Sequence, residues 1–264
     1  MRIALHVEYD GAGFCGWQTQ PAGCGVQDAL ERALAAVATA PVATVCAGRT
    51  DAGVHALMQV VHFDPPAERP LSAWVRGVNA HLPDGVAVLD ARPVETGFDA
   101  RGSALERCYR YRLLNHPVRP ALDLRRCGWE HAPLDVDAMR AAARLVLGRH
   151  DFSAFRAAEC QAKTPVRELR RVDIERDGCW IEFGLAADAY LHHMVRNLVG
   201  ALLSVGRGRH PVPWIGELLA SRDRSRGAPT APAGGLYLAE VRYPELHRLD
   251  FRPRPMPVPE REWR

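Results

Sequence analysis

The chain has 264 residues, of which 47% are hydrophobic and 25% charged, with a formal net charge of +3. That length gives one large domain or two modest ones with a substantial core, and the composition excludes disordered, collagenous and coiled-coil classes. So small a positive excess means that any nucleic-acid role comes from a local basic surface rather than from the whole molecule.

Ile3, Leu5, Val7 and Tyr9 alternate with Ala4, His6 and Glu8, which predicts a half-buried strand stopped by the turn Asp10 Gly11 Ala12 Gly13. Val26, Ala29, Leu30, Ala33, Leu34 and Val37 recur at helical spacing, and Val42 to Cys46 and Gln59 to Phe63 read as strands. Trp74, Val75, Val78 and Leu82 predict a helix ended by Pro83 Asp84 Gly85, followed by a strand from Val86 to Ala91. After the irregular stretch Phe98 to Ser103, Arg107 to Leu114 reads as a strand with Tyr109, Tyr111 and Leu113 on one face and Arg110 and Arg112 on the other.

The second half predicts a helix from about Val136 to Leu147 and a hairpin turning at Asp177 Gly178. A longer helix from Tyr190 to Val205, another near Trp214 to Leu219, and a strand from Leu236 to Tyr243 follow. These patterns predict an N-terminal αβ half over 1–104, a C-terminal αβ half over 105–246, and a Pro- and Arg-rich tail over 247–264 that packs as an irregular arm or stays mobile.

The seven cysteines, at 15, 24, 46, 108, 127, 160 and 179, show no spacing of a metal knuckle or redox pair, so reduced and mostly buried thiols are expected. The first ten residues alternate and carry acids, unlike a signal peptide, and no apolar run approaches membrane-spanning length. A cytoplasmic protein with no membrane partner is expected. All the basic residues but Lys163 are Arg, a bias that either phosphate recognition or the coding preference of the source produces.

The run Gly48 Arg49 Thr50 Asp51 Ala52 Gly53 Val54 His55 Ala56 Leu57 places a carboxylate beside a guanidinium between two glycines. Asp51 either caps a turn by bonding nearby amides or, held anionic by Arg49, attacks an electrophilic carbon. In the segment from Ala187 to Gly200, helical spacing puts Leu191, Val195, Leu198 and Leu202 on one stripe and His192, Arg196 and Gly200 on another. Arg196 is then a solvated arginine or a second cation for Asp51, and Gly200 lets another backbone approach. His192 and His193, adjacent on a helix, point about a quarter-turn apart with no third ligand one turn on, so no metal site is expected. Tyr111 reads as a core aromatic, whereas Tyr109, nearer the glycine-containing loop, reads as a core ring or as a stacking platform for a base.

No phosphate-binding glycine loop, dinucleotide fingerprint or serine elbow is present, and no second carboxylate is nominated opposite Asp51 as a glycosidase would need. One carboxylate with arginine partners suits covalent catalysis at a sugar or base carbon.

The Asp51 loop, taken with Tyr9 Asp10 Gly11, Gly16 Trp17 Gln18, Gly77 Val78 Asn79 and Phe98 Asp99 Ala100 Arg101, resembles the tRNA pseudouridine synthase A family. Also similar are Tyr109 Arg110 Tyr111, Asp151 Phe152 Ser153 with Phe155, His192 to Gly200, and Gly235 Leu236 Tyr237 Leu238, in family order from about Ile3 to Pro244. The resemblance implies an isomerase that breaks the N-glycosidic bond of uridine, turns the uracil and rejoins it through carbon five, with neither metal nor cofactor. Its substrate would be the anticodon arm of tRNA, at tRNA positions 38, 39 and 40, and its active unit a homodimer. Asp51 would be the nucleophile, Arg196 its ion-pair partner, Tyr109 the tyrosine that contacts the uracil and accepts its carbon-bound proton, and Arg49 a residue that helps extract the uridine from the stack. Asp188, Tyr190 and Lys163 stand where the family commonly has Asn, Phe and Arg.

The fold expected is α+β, two similar αβ halves forming a continuous, mainly antiparallel sheet with helices on one side and a central basic cleft. Two rival functions are a non-catalytic RNA-binding or RNA-folding protein, which gains nothing from an anion facing phosphates, and a nucleoside or base hydrolase, which would release uracil.

Overall fold

Strand β1 (Arg2–Tyr9) buries Ile3, Leu5 and Val7 completely and stops at Asp10, whose carboxylate accepts from the Ala12 amide at 3.0 Å and opens a turn. The computed structural model describes residues 1–247 and 249–255. Beyond β1 it contains α1 (Val26–Ala38), β2 (Val45–Cys46), β3 (His55–Phe63), β4 (Val86–Val94), β5 (Glu106–Asn115), β6 (Gly128–Glu130) and α2 (Val136–Ala143). Then come β7 (Gly148–Asp151), β8 (Val166–Asp177), β9 (Trp180–Ala187), α3 (Met194–Gly206), α4 (Trp214–Ser221) and β10 (Leu236–Arg242).

The strands form one sheet in the order β4-β1-β3-β10-β5-β9-β8-β7, with β2 added on β3 and β6 on β5. Every pairing is antiparallel except β3 with β10 and β5 with β6, so the expected mainly antiparallel α+β sheet is what forms. β10 lies between β3 and β5, and its parallel contact with β3 is short, Tyr237 opposite His55 and Leu238 opposite Ala56. The loop that precedes β3 therefore sits at the seam where early and late parts of the chain meet.

Several elements differ from their sequence-based outlines. β3 begins at His55 rather than Gln59, and β2 is only two residues long. The helix expected to reach Leu147 is α-helical only to Ala143, ends as a 3-10 turn over Arg144–Val146, and gives way at Gly148, whose φ of +100° suits glycine alone, to β7. The helix near Trp74 contains a π-helical turn over Ala73–Gly77. α3 starts at Met194 because His193 takes a left-handed conformation, φ 61° and ψ 2°. The short strands β6 and β7 carry too few residues to show a period. Of the tail, Phe251 is buried and packs 5.5 Å from the His6 ring, while residues 256–264 lie outside the described residues.

Cys15 and Cys24 are joined as a disulfide, which corrects the expectation of seven reduced thiols. The chain folds back through a turn closed by the Gly23 amide on the Gln20 carbonyl at 2.8 Å, and the two Cα atoms stand 5.4 Å apart, a proximity that spacing does not reveal. Cys46, Cys108 and Cys127 are buried and free, and Cys160 and Cys179 are half-buried and free. Cross-linking so short a loop stabilises the oxidised chain by about 2–3 kcal/mol through unfolded-state entropy. Reduction, or Cys24→Ser, is expected to lower Tm by about 5–10 °C in a calorimetric scan; an unchanged Tm would show that the bond adds nothing.

Candidate active site

The loop between β2 and β3 is held from three sides before its carboxylate is considered. Gln59 of β3, fully buried, donates to the Gly48 carbonyl at 2.6 Å and accepts from the Gly48 amide at 3.3 Å. The Tyr9 hydroxyl pairs with the Thr50 hydroxyl at 2.8 Å, and the Trp17 amide donates to the Thr50 carbonyl at 3.0 Å. A Cβ on Gly16, whose φ is +95°, would stand 2.8 Å from that carbonyl, so this segment lies flat against the loop only as glycine. Such a frame removes the mobility of Asp51 ahead of any reaction.

Asp51 does not cap its own turn: among the described residues its carboxylate meets side chains, not backbone amides. Arg196, in the first turn of α3, donates through Nη1 to Oδ2 at 3.0 Å, and the two side chains are 15% and 17% exposed. The arginine is itself fixed, its Nε donating to the Ala231 carbonyl at 2.8 Å while the Ala231 amide donates to the Arg196 carbonyl at 3.1 Å. Gly200 makes this possible, because a Cβ there would lie 2.1 Å from the Pro229 carbonyl oxygen. Arg196 is thus the second cation, and Arg49, exposed in the cleft wall, is not the guanidinium that meets Asp51. Arg196 itself stands at the positive, N-terminal end of α3.

His192 and His193 complete the surroundings, with Nε2 atoms 3.3 Å from Oδ1 and 3.5 Å from Oδ2. They precede the helix instead of lying on it, so the divergence expected of helical neighbours does not apply. His193 takes a left-handed backbone, uncommon for a residue with a side chain, and both rings face Asp51. Burial pushes the His193 imidazole below its ordinary range, although the charge of Asp51 pulls the other way. Adjacent histidines were the sequence signal for this pair; the missing information was the conformation.

Tyr109 of β5 is nearly buried, with its hydroxyl 3.8 Å from where a Gly48 Cβ would stand and its ring edge-on to Tyr190 at 5.0 Å between centroids. Burial first, and then the charge of Asp51, push its phenol up, so it is neutral near pH 7. Tyr111 is a fully buried core ring whose hydroxyl has no partner among the described residues.

One arginine escaped the sequence reading. Arg107 is 9% exposed and donates to the carbonyls of Ala47, Arg101, Ala104 and Asp188, tying the approach to the Asp51 loop to the 101–104 turn and the end of β9. It shares the inward parity of Tyr109, Tyr111 and Leu113, a charged residue on an apolar face, and that was the signal available. The cleft around these groups has a volume of about 1230 Å³ and is lined by Arg49, Arg101, Arg107, Arg167 and Arg196 against the carboxylates of Asp51 and Glu159. The expected basic cleft is present.

Residues 5–101 and 142–244 match the family model described as tRNA pseudouridine synthase. The chain belongs to that family. The tRNA pseudouridine synthase A of Thiobacillus denitrificans is 60% identical over 249 residues, covering 94% of this chain and 96% of that protein. Those of Paraburkholderia phymatum and Burkholderia multivorans are 59% and 60% identical, each over 92% of this chain and over 91% and 90% of their own lengths. A chain of a solved Cbf5-Nop10-Gar1 complex is similar at 11% identity with a TM-score of 0.37, over 89% of this chain and 48% of that one.

The synthase is an isomerase acting on tRNA, converting uridine to pseudouridine. Its departures from the family pattern leave the Asp51 surroundings intact. Asp188 accepts from the Glu168 and Ala189 amides at 3.0 and 2.7 Å, contacts that an asparagine oxygen makes equally well. The extra hydroxyl of Tyr190 is buried without a partner among the described residues, while its ring supports Tyr109. Lys163 is exposed. Among the described residues no helix is long and apolar enough to cross a membrane.

Proposed function

We propose that Asp51 is the nucleophile of the isomerisation, Arg196 its ion-pair partner, Tyr109 the contact to the target uracil, and Arg49 a residue that draws the uridine from its stack. The uridines are those at tRNA positions 38, 39 and 40 in the anticodon stem and loop, and the active unit is a cytoplasmic homodimer. The observation that carries the reading is a carboxylate in a basic cleft whose two oxygens face, among the described residues, cationic or ionisable side chains and no backbone amide.

In the reaction the C1′–N1 bond breaks, the uracil turns, and a C5–C1′ bond forms; the C5 proton leaves and N1 takes one up, so mass is conserved. Arg196 stabilises the anion before attack and whenever it is released. The neutral Tyr109 phenol offers the uracil a ring to pack on and a hydrogen bond to donate; for it to take the C5 proton, its own must first pass to another base. Flipping the nucleotide costs a few kcal/mol, which phosphate contacts from the cleft arginines and the Tyr109 surface offset.

Tyr109→Phe keeps the ring and loses the hydrogen bond, for a fall of about 10–100-fold in kcat/KM. Tyr109→Ala loses the stacking surface too, for roughly a further 10-fold or more. Full activity in both variants would remove Tyr109 from the site. The test of the whole reading is incubation of the protein with unmodified tRNA and mapping of pseudouridine by position. Product confined to 38, 39 and 40 supports it, product elsewhere overturns the position assignment, and free uracil would mean hydrolysis.

A further inference from the structure

Asp51, His192 and His193 are brought together from opposite sides of the cleft, and one ligand atom from each lies within 4.8 Å of the other two. The His192 Nε2 stands 3.3 Å from Oδ1 and the His193 Nε2 3.5 Å from Oδ2, each close to the roughly 3.4 Å between two ligands about 2.0–2.2 Å from a tetrahedral zinc ion, so each imidazole faces its own carboxylate oxygen. The imidazole centroids are 4.1 Å apart with planes inclined by 39°, and both ring edges converge on Asp51. His192 and His193 are 39% and 29% exposed at their side chains, so the cluster is reachable from the cleft.

We propose that Asp51, His192 and His193 chelate a divalent transition-metal ion of the zinc class, and that the bound ion inhibits the synthase reversibly by capping the carboxylate. The inhibition rests on the reading of Asp51 as nucleophile; the binding does not. Two imidazole nitrogens and a carboxylate favour zinc, cobalt, nickel or copper over magnesium and calcium, which prefer all-oxygen shells. Two features oppose the ion. Arg196 already holds Oδ2 at 3.0 Å, and the N-terminal end of α3 is positive. Both weaken the site relative to a dedicated structural zinc centre, and Oδ1 with His192 is the edge where the ion lands first.

The probe is cobalt(II) alone, titrated into tRNA-free protein and followed by its visible absorption, with synthase activity then measured at fixed zinc with and without EDTA. The expected result is saturable one-to-one binding with an oxygen- and nitrogen-ligated band and no thiolate charge-transfer band. Zinc inhibits, magnesium at the same concentration does not, and EDTA restores the rate. His192→Ala with His193→Ala removes two of three ligands and weakens cobalt binding by more than the about 10–100-fold that loss of an outer-sphere partner costs. Should that double variant unfold, His192→Ala alone, at the more exposed ring, still has to weaken it. Arg196→Gln is expected to tighten cobalt binding several-fold while activity falls, a sign that adventitious surface binding does not produce.

An unaltered cobalt spectrum in the histidine variants, a thiolate band pointing to Cys160, or equal inhibition by magnesium would overturn the site. Cobalt binding as expected together with an active Asp51→Asn enzyme would overturn the nucleophile reading and leave the chelate standing. An inactive Asp51→Asn enzyme whose wild type binds no cobalt would do the reverse.

Discussion

Asp51→Asn is expected to abolish pseudouridine formation, with kcat lowered by at least about 10⁴-fold, as losses of covalent nucleophiles are, while tRNA affinity stays near that of the wild type. The amide is isosteric with the carboxylate, still accepts from Arg196, and sits in a loop held by Gln59, Tyr9 and Trp17, none of which contacts the changed atoms. What it loses is the negative charge and the lone pair that forms a bond to carbon. Single-turnover rates on unmodified tRNA, beside a filter-binding measurement of affinity, separate the two. Turnover near the wild-type rate would sink the assignment. A binding protein without catalysis predicts instead that Asp51→Ala binds RNA more tightly, since an anion has left a cleft lined by five arginines.

For Arg196→Lys the fall is smaller but still large, about 10²-fold in kcat, the scale on which small misplacements of a reacting group act. The guanidinium does two things at once, donating through Nη1 to Asp51 and through Nε to the Ala231 carbonyl. An ammonium has three donors, but all on one nitrogen at the end of a flexible stem, so it does not reproduce the planar fork that reaches both acceptors from fixed, separate nitrogens. The cation therefore survives while its position, and that of the carboxylate, does not. Presteady-state rates should show the loss in the chemical step with KM little changed. A fully active lysine variant would remove the fork from the mechanism.

How much of this was legible before folding varies by element. β1, α1 and β5 were readable because their apolar periods are long, and β1 also because its end is marked by the turn residues from Asp10. Asp51 and Arg49 stood out because glycines isolate them, and Arg196 because it leaves the apolar stripe of its segment. The start of α3 was misread because Tyr190 to His193 continue an apparently helical spacing; the left-handed backbone at His193 depends on tertiary contacts. The disulfide was missed because nine residues of separation fix no distance until the turn at Gly23 folds Cys24 onto Cys15.

Residue order by itself determined the class of fold, the candidate loop around Asp51 and, through the resemblance, the reaction, since local periodicity and short motifs carry those. Only the tertiary structure decided which cation meets Asp51. Arg49 is two residues away in sequence yet lies along the cleft wall, whereas Arg196, 145 residues away, arrives because β10 joins β3 to β5 and the 229–231 segment braces α3 through Gly200. Charge pairing depends on separation in space, and that separation is set by how the sheet and helix pack rather than by the order of the residues.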